Sequence, residues 1–330
     1  MLRKICVVLP AIILIFLSAS NASAQLDVTG FFDVQYAKPS DQKDVFSGFQ
    51  YGQFEIDLSA KASERLTMEG ALALNPDEQK FEPGIGYLQL DLSPTSPSRR
   101  DRRGGAFVKE FGFQFGQFDV PFGLDYQVIP SVDRSLVHVP LMNRRSIDSW
   151  NSIGMNMYAR CDQWNFVGFI VNGITEDYTA GGRIGLKPDP GMEVGISYAR
   201  GASLNGLQPT EIVGADLQGL MRQFSWKAEA NFSRGILNGE ASLDSMDAQW
   251  GYYFHGKYDF FASSKMPMFL VARYGRWMPL EGFQGQQLHT EQQITIGVGA
   301  KVAYQSQIRL EYLTNVRDPG ELTFQFVVGF

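Results

Sequence analysis

The chain has 330 residues, 44% of them hydrophobic and 13% aromatic against 19% charged, too apolar for a disordered chain and long enough for one large domain or two ordinary ones. A formal net charge of −6 argues against a nucleic-acid partner, which a basic surface would be needed to hold.

Residues 1–24 read as a signal peptide. Arg3 and Lys4 precede an apolar run from Val7 to Leu17, and Ala22-Ser23-Ala24 supplies the small residues for cleavage before Gln25. Export is therefore expected. Cys6 lies ahead of the apolar run and cannot anchor a lipid, and Cys161 alone in the mature chain excludes an internal disulfide framework and a cysteine-based zinc site. Beyond residue 24 no run of about 18 apolar residues occurs, so a membrane role requires a closed β-barrel.

The pattern that recurs has period two. Phe54, Ile56, Leu58 and Ala60 alternate with Gln53, Glu55, Asp57, Ser59 and Lys61; Tyr252, Phe254, Tyr258 and Phe260 alternate with Tyr253, His255, Lys257 and Asp259. In chain order the runs predict strands over 26–37, 49–62, 66–75, 84–92, 107–119, 153–161, 164–173, 181–188, 191–200, 211–220, 223–234, 246–261, 267–278, 289–304, 307–315 and 321–330. These about sixteen strands, many near ten residues, have the even count and the length of tilted bilayer-crossing strands. The predicted fold class is all-β, a transmembrane antiparallel barrel over residues 25–330.

The connections support that reading. Those after the even strands are tight turns, such as Asp162-Gln163, Asp189-Pro190, Met221-Arg222 and Gln305-Ser306, with one longer exception from Ser93 to Ala106 that carries Arg99, Arg100, Arg102 and Arg103. Those after the odd strands are longer, as expected for the two rims of an outer-membrane barrel. The longest, residues 120–152, is predicted to be a third extracellular loop folded into the lumen as a constriction. Asp133, Asp148, Arg134, Arg144 and Arg145 are its candidate filter residues. The last strand places Leu322, Phe324, Phe326, Val328 and Phe330 on one face, and Phe330 is read as an assembly signal for the barrel-assembly machinery.

Catalytic groups are not evident. His138, His255 and His289 lack metal-ligand spacing, no serine lies in a G-x-S-x-G turn, and His255 has no serine beside it in its own strand; only remote pairing would supply one. Neither a cofactor nor a metal is expected. Charge facing lipid costs about 2–4 kcal/mol at midplane, so charged residues that alternate with apolar ones should face the lumen. They are Lys227, Lys257, Arg273, Arg309, Lys61, Arg160, Arg183, Lys187 and Lys301 against Glu229, Asp259, Glu311, Glu55, Asp57, Glu69, Glu110, Glu193 and Asp216. By number, acids and bases balance.

Segments 116–125 (GQFDVPFGLD) and 133–137 (DRSLV) resemble the entry to the constriction loop of the phosphate-selective porin O and P family. Further pieces resemble it in order: Arg183 to Pro188 with Val194 to Tyr198, Gly214 to Gln218 with Lys227 to Glu229, Ala272 to Tyr274, Arg309 to Tyr312, and Phe330. The resemblance implies a barrel of about sixteen strands, usually trimeric, narrowed by its third loop. It also implies rows of lumen arginines and lysines in the phosphate-specific members; here lysine is absent between Lys109 and Lys187 and the lumen charge is balanced.

The sequence thus predicts an outer-membrane porin for passive diffusion of small hydrophilic solutes or ions with weak charge selectivity. Its expected partners are outer-membrane lipid, the assembly machinery, two further copies in a homotrimer, and small solutes or anions. A phosphate or oxyanion channel is the alternative within the architecture, and a non-conducting adhesin or envelope scaffold the alternative outside it.

Overall fold

The computed structural model describes residues 25–39, 48–75, 80–93, 108–124, 126, 130–147, 150–173, 178–201, 211–234, 248–261, 265–280, 289–303, 305–315 and 318–330. The expected leader, the arginines of 99–103, Asp125 and Asp148 lie outside them.

Period-two alternation is realised as strands β1 (Gln25–Pro39), β2 (Gly48–Lys61), β3 (Leu66–Asn75), β4 (Lys80–Asp91), β5 (Glu110–Asp119), β6 (Asn151–Arg160), β7 (Trp164–Asn172) and β8 (Tyr178–Leu186). There follow β9 (Met192–Gly201), β10 (Glu211–Met221), β11 (Phe224–Arg234), β12 (Ala248–Phe260), β13 (Met268–Pro279), β14 (Glu291–Ala303), β15 (Ser306–Asn315) and β16 (Asp318–Gly329). Each strand pairs antiparallel with its sequence neighbours, and β1 pairs with β16, so the sixteen strands form one closed barrel. Closure leaves no edge strand, and every strand finds its backbone partners within the sheet. The seam ends at Phe330, whose N–H donates to Gly30 O at 2.9 Å while Gly30 N–H donates back to Phe330 O at 3.1 Å.

The predicted strands thus all exist, with ends displaced by a few residues. One expectation about the rims is corrected. The connection after β15 is only residues 316–317 and that after β3 only 76–79, so not every connection on that rim is long. The third begins at Val120 and ends at Trp150, because β6 already starts at Asn151. We call this rim the loop side and the other the turn side. On the turn side, β10 and β11 are joined by Arg222 and Gln223 alone, with Met221 opposite Phe224. Arg222 takes φ 56°, the left-handed conformation that so short a reversal demands.

The two faces differ in chemistry. On β9, Glu193, Gly195, Ser197 and Ala199 are buried while Val194, Ile196 and Tyr198 are exposed. On β15 and β16, Arg309, Glu311, Thr323 and Gln325 are buried while Leu310, Tyr312, Leu322, Phe324 and Phe326 are exposed. A soluble domain buries its apolar side; this barrel turns it outward, the arrangement that a hydrocarbon solvent selects. Among the described residues no helix is long and apolar enough to cross a membrane.

Candidate pore constriction

The segment 120–150 is held by wall residues from across the barrel. It departs from β5 through an apolar cluster of Phe118, Val120, Phe122, Phe169, Val171, Ala199 and Ile212, against which Trp150 packs at its return. Gly123 adopts φ +68°, and there its N–H donates to Ser197 Oγ at 3.0 Å. The next amide, Leu124, donates to Glu229 Oε2 at 3.3 Å, which also accepts from Tyr253 OH at 3.2 Å.

Further along, Ser131 N–H and Arg134 Nη2 donate to Gln53 Oε1 on β2 at 2.8 and 2.9 Å. Arg309 on β15 donates to Ser131 O, and Gln307 donates to Val132 O. Glu311 then takes Val137 N–H at 2.6 Å and His138 Nδ1 at 2.6 Å, with Glu321 3.6 Å from His138 Nε2. Arg273 on β13 donates to the carbonyls of His138 and Val139 at 2.8 and 3.1 Å. A short helix, α1 (Leu141–Ser146), follows, and Ser146 Oγ accepts from Asn231 Nδ2 at 2.9 Å.

Small wall residues make this approach possible. A Cβ on Gly214 would lie 2.9 Å from the Phe122 ring, on Gly251 2.8 Å from Met142, and on Gly297 2.8 Å from Leu136. Leu136 completes a second apolar cluster with Phe269 and Val271. Glycines on β10, β12 and β14 therefore form the bed for the apolar side chains of the segment.

Two cavities flank it. One, of about 630 Å³, is lined by Arg134, Arg144, Lys187, Lys227, Lys257 and Arg273, with Asp133 and Glu193 as its acids. The other, of about 770 Å³, is lined by Glu55, Asp57, Glu82, Asp119 and Asp133 and, among the described residues, by no lysine or arginine. Its lining reaches from Gln305 and Gly329 on the turn side to Leu74 and Glu82 on the loop side. The two linings thus differ in charge, acids on the β2–β5 wall and mostly bases toward β11–β13, although Glu229 and Asp259 also lie on β11 and β12. Asp133 lines both cavities, and burial pushes its carboxyl above the ordinary aspartate value, with Arg309 opposing.

Of the proposed filter residues, the structure brings Asp133, Arg134 and Arg144 onto a cavity wall. Arg145 instead turns to the β14 end, 2.5 Å from Glu291 and 5.5 Å from the Trp277 ring centroid. Of the proposed lumen charges, Arg273, Arg309, Glu229 and Glu311 hold the segment; Lys227 lies 5.8 Å from the Tyr253 ring centroid, and Lys257 pairs with Asp259 at 2.8 Å. Arg183 pairs with Glu193 and Asp216 at 2.7 and 2.6 Å, and Arg160 with Glu110 at 2.9 Å.

Residues missed from sequence are Gln53, Ser131, His138 and Asp33, the last buried and accepting from Gln53 N–H at 3.0 Å. Asp33 and Gln53 carry a usable signal, polar positions alternating with Phe32 and Phe54; Ser131 and His138 carry none. The segment also supplies His255 with the serine its own strand lacks, Ser135 Oγ lying 3.1 Å from Nε2. His255 Nδ1 is buried and has no hydrogen-bond partner among the described residues.

A closed sixteen-stranded barrel, polar within and apolar without, defines an outer-membrane architecture, and the solved structures it resembles are porins and other outer-membrane proteins. OmpF of Salmonella typhi, solved with daunomycin, matches 94% of this chain and 99% of its own at 12% identity and a TM-score of 0.68. OmpT of Vibrio cholerae, in a trimer form, matches 93% and 99% at 10% identity and 0.65; an anion-selective porin from Comamonas acidovorans matches 93% and 100% at 11% and 0.61. At these identities the likeness is one of fold. No family model matches the chain, and no curated protein does.

Proposed function

We propose that the protein is an outer-membrane porin through which small hydrophilic solutes and ions diffuse passively, with the segment 120–150 as the constriction. The observation that carries this reading is the acid-lined space that reaches from one rim to the other beside the segment. No covalent step is involved; the lumen replaces part of a solute's hydration with fixed polar groups.

Acids on one side and bases on the other set a field across the pore. A dipolar solute gains by aligning with it, whereas a simple ion sees partly cancelling charge, so selectivity between cations and anions is weak. Asp133 and Arg134, adjacent on the segment, stand where the two linings meet, and Arg144 adds to the basic one. Charge deletion tests this: Glu55→Gln with Asp57→Asn should move the zero-current potential toward anions, and Lys227→Gln with Arg134→Gln toward cations. Equal potentials in all variants would contradict the proposal.

An oxyanion channel is the second reading, favoured by the basic lining of Arg134, Arg144, Lys227, Lys257 and Arg273 and by the resemblance of 116–125 and 133–137 to phosphate-selective porins. Block of the ion current by phosphate would establish it. We further propose a homotrimer, supported by the trimer form of OmpT, and recognition of the strand ending in Phe330 by the assembly machinery.

A further inference from the structure

We propose that the base-lined cavity binds an elongated organic carboxylate, with its carboxylate on Lys227 and His255 and its apolar or aromatic body along the segment 120–150. The inference deepens the channel reading above by naming a solute class for that cavity.

Strand register sets the polar end. Lys227 on β11 stands opposite His255 on β12, and His255 opposite Arg273 on β13, so three nitrogen-bearing side chains form one inward row on the cavity wall. Opposed Cβ atoms lie about 5 Å apart, close enough for two neighbours to meet one carboxylate. Arg273 turns its fork to the carbonyls of His138 and Val139. His255 is 8% exposed and meets the segment through Nε2, 3.1 Å from Ser135 Oγ, while Nδ1 is buried and has no hydrogen-bond partner among the described residues. With the Ser135 hydroxyl donating to Nε2, the neutral ring carries its proton on Nδ1, a donor that a carboxylate oxygen would satisfy. The acids around the row have partners of their own: Glu229 accepts from Leu124 N–H and Tyr253 OH, Asp259 pairs with Lys257, and Glu193 pairs with Arg183. Among the described residues six bases line the cavity against two acids, and that surplus favours an anion.

The segment supplies the apolar end. Half-buried Tyr126, Val139, Ile147 and Trp150 line the same cavity. Ser146, next to Ile147, is held by Asn231, four residues from Lys227 along β11, a rise of about 13 Å. A solute that meets both the row and Ile147 or Trp150 is therefore elongated. Inorganic phosphate, compact and without apolar surface, can use the row alone. A cavity of about 630 Å³ is large enough for an aryl- or alkyl-carboxylate of that length.

The test is calorimetric titration of the folded barrel in detergent with phenylbutyrate, a measurement that needs no ion flow. Acetate, which lacks the body, should bind at least about tenfold more weakly. Phenylbutylamine, which enters micelles by the same phenyl tail, should not bind. Lys227→Gln should weaken phenylbutyrate about tenfold, the worth of a charge-assisted hydrogen bond, and His255→Phe by a similar factor. Should either variant not fold, the comparison of phenylbutyrate, acetate and phenylbutylamine on the wild type decides. No binding of phenylbutyrate, equal affinity for acetate, or wild-type affinity in the folded variants would overturn the proposal. Inorganic phosphate competing at similar affinity would overturn it too, by showing that the apolar end contributes nothing. A barrel that binds phenylbutyrate and conducts nothing would count against the channel reading alone.

Discussion

Gly297 shows how a missing side chain positions a loop. Its inward Cα is open to Leu136, and any Cβ there would press on both Leu136 and Val271. Gly297→Leu should therefore destabilise the barrel by about 1–3 kcal/mol, the usual cost of overpacking, read as a lower urea midpoint in lipid vesicles. Asp133 is the complementary polar case. Burial raises its folded pKa above the unfolded value, so the folded state holds the proton more tightly. Stability is then greatest below the unfolded pKa and falls as pH rises through the folded one. The same titration removes a lumen acid, so any cation preference should decline as pH drops through the raised pKa of Asp133. In Asp133→Asn both the stability slope and this part of the selectivity change should be reduced; an unaltered pH profile would show that Asp133 contributes to neither.

At the scale of the segment 120–150, the anchors are charged groups used as clamps. Glu311 is buried, yet it accepts two N–H groups and the His138 ring, and Arg273 caps two carbonyls of the same turn. Charge-assisted hydrogen bonds are worth about 1.5–3 kcal/mol each, so Glu311→Ala should release the stretch around Val137 and His138 while the barrel stays closed. Current recordings should show added open-channel noise, and hydrogen exchange at residues 131–139 should quicken. Unchanged exchange there would mean that the apolar contacts of Leu136 and Phe122 suffice.

At the scale of the whole molecule, the barrel was legible in the sequence because strand alternation is local: Phe54, Ile56 and Leu58 against Gln53, Glu55 and Asp57 declare two faces without reference to any partner. The closed topology followed from strand number and the missing edge. The constriction was legible only in outline. Arg273, Arg309 and Glu311 have the spacing of lumen residues, but their use as clamps depends on a segment more than a hundred residues distant in the chain. The equal count of acids and bases likewise concealed the different linings of the two cavities, because residues such as Glu55 and Lys257 reach different walls only when the barrel closes. Sequence parity assigns a face; it does not assign a sector.

The central claim is an open, weakly selective pore, and single-channel recording in a planar bilayer under a KCl gradient tests it most directly. Refolded protein should give discrete open steps with a small zero-current potential, and added phosphate should leave the current unblocked. Intact barrels that conduct nothing would contradict the account, and a strong anion preference with phosphate block would contradict its weak selectivity.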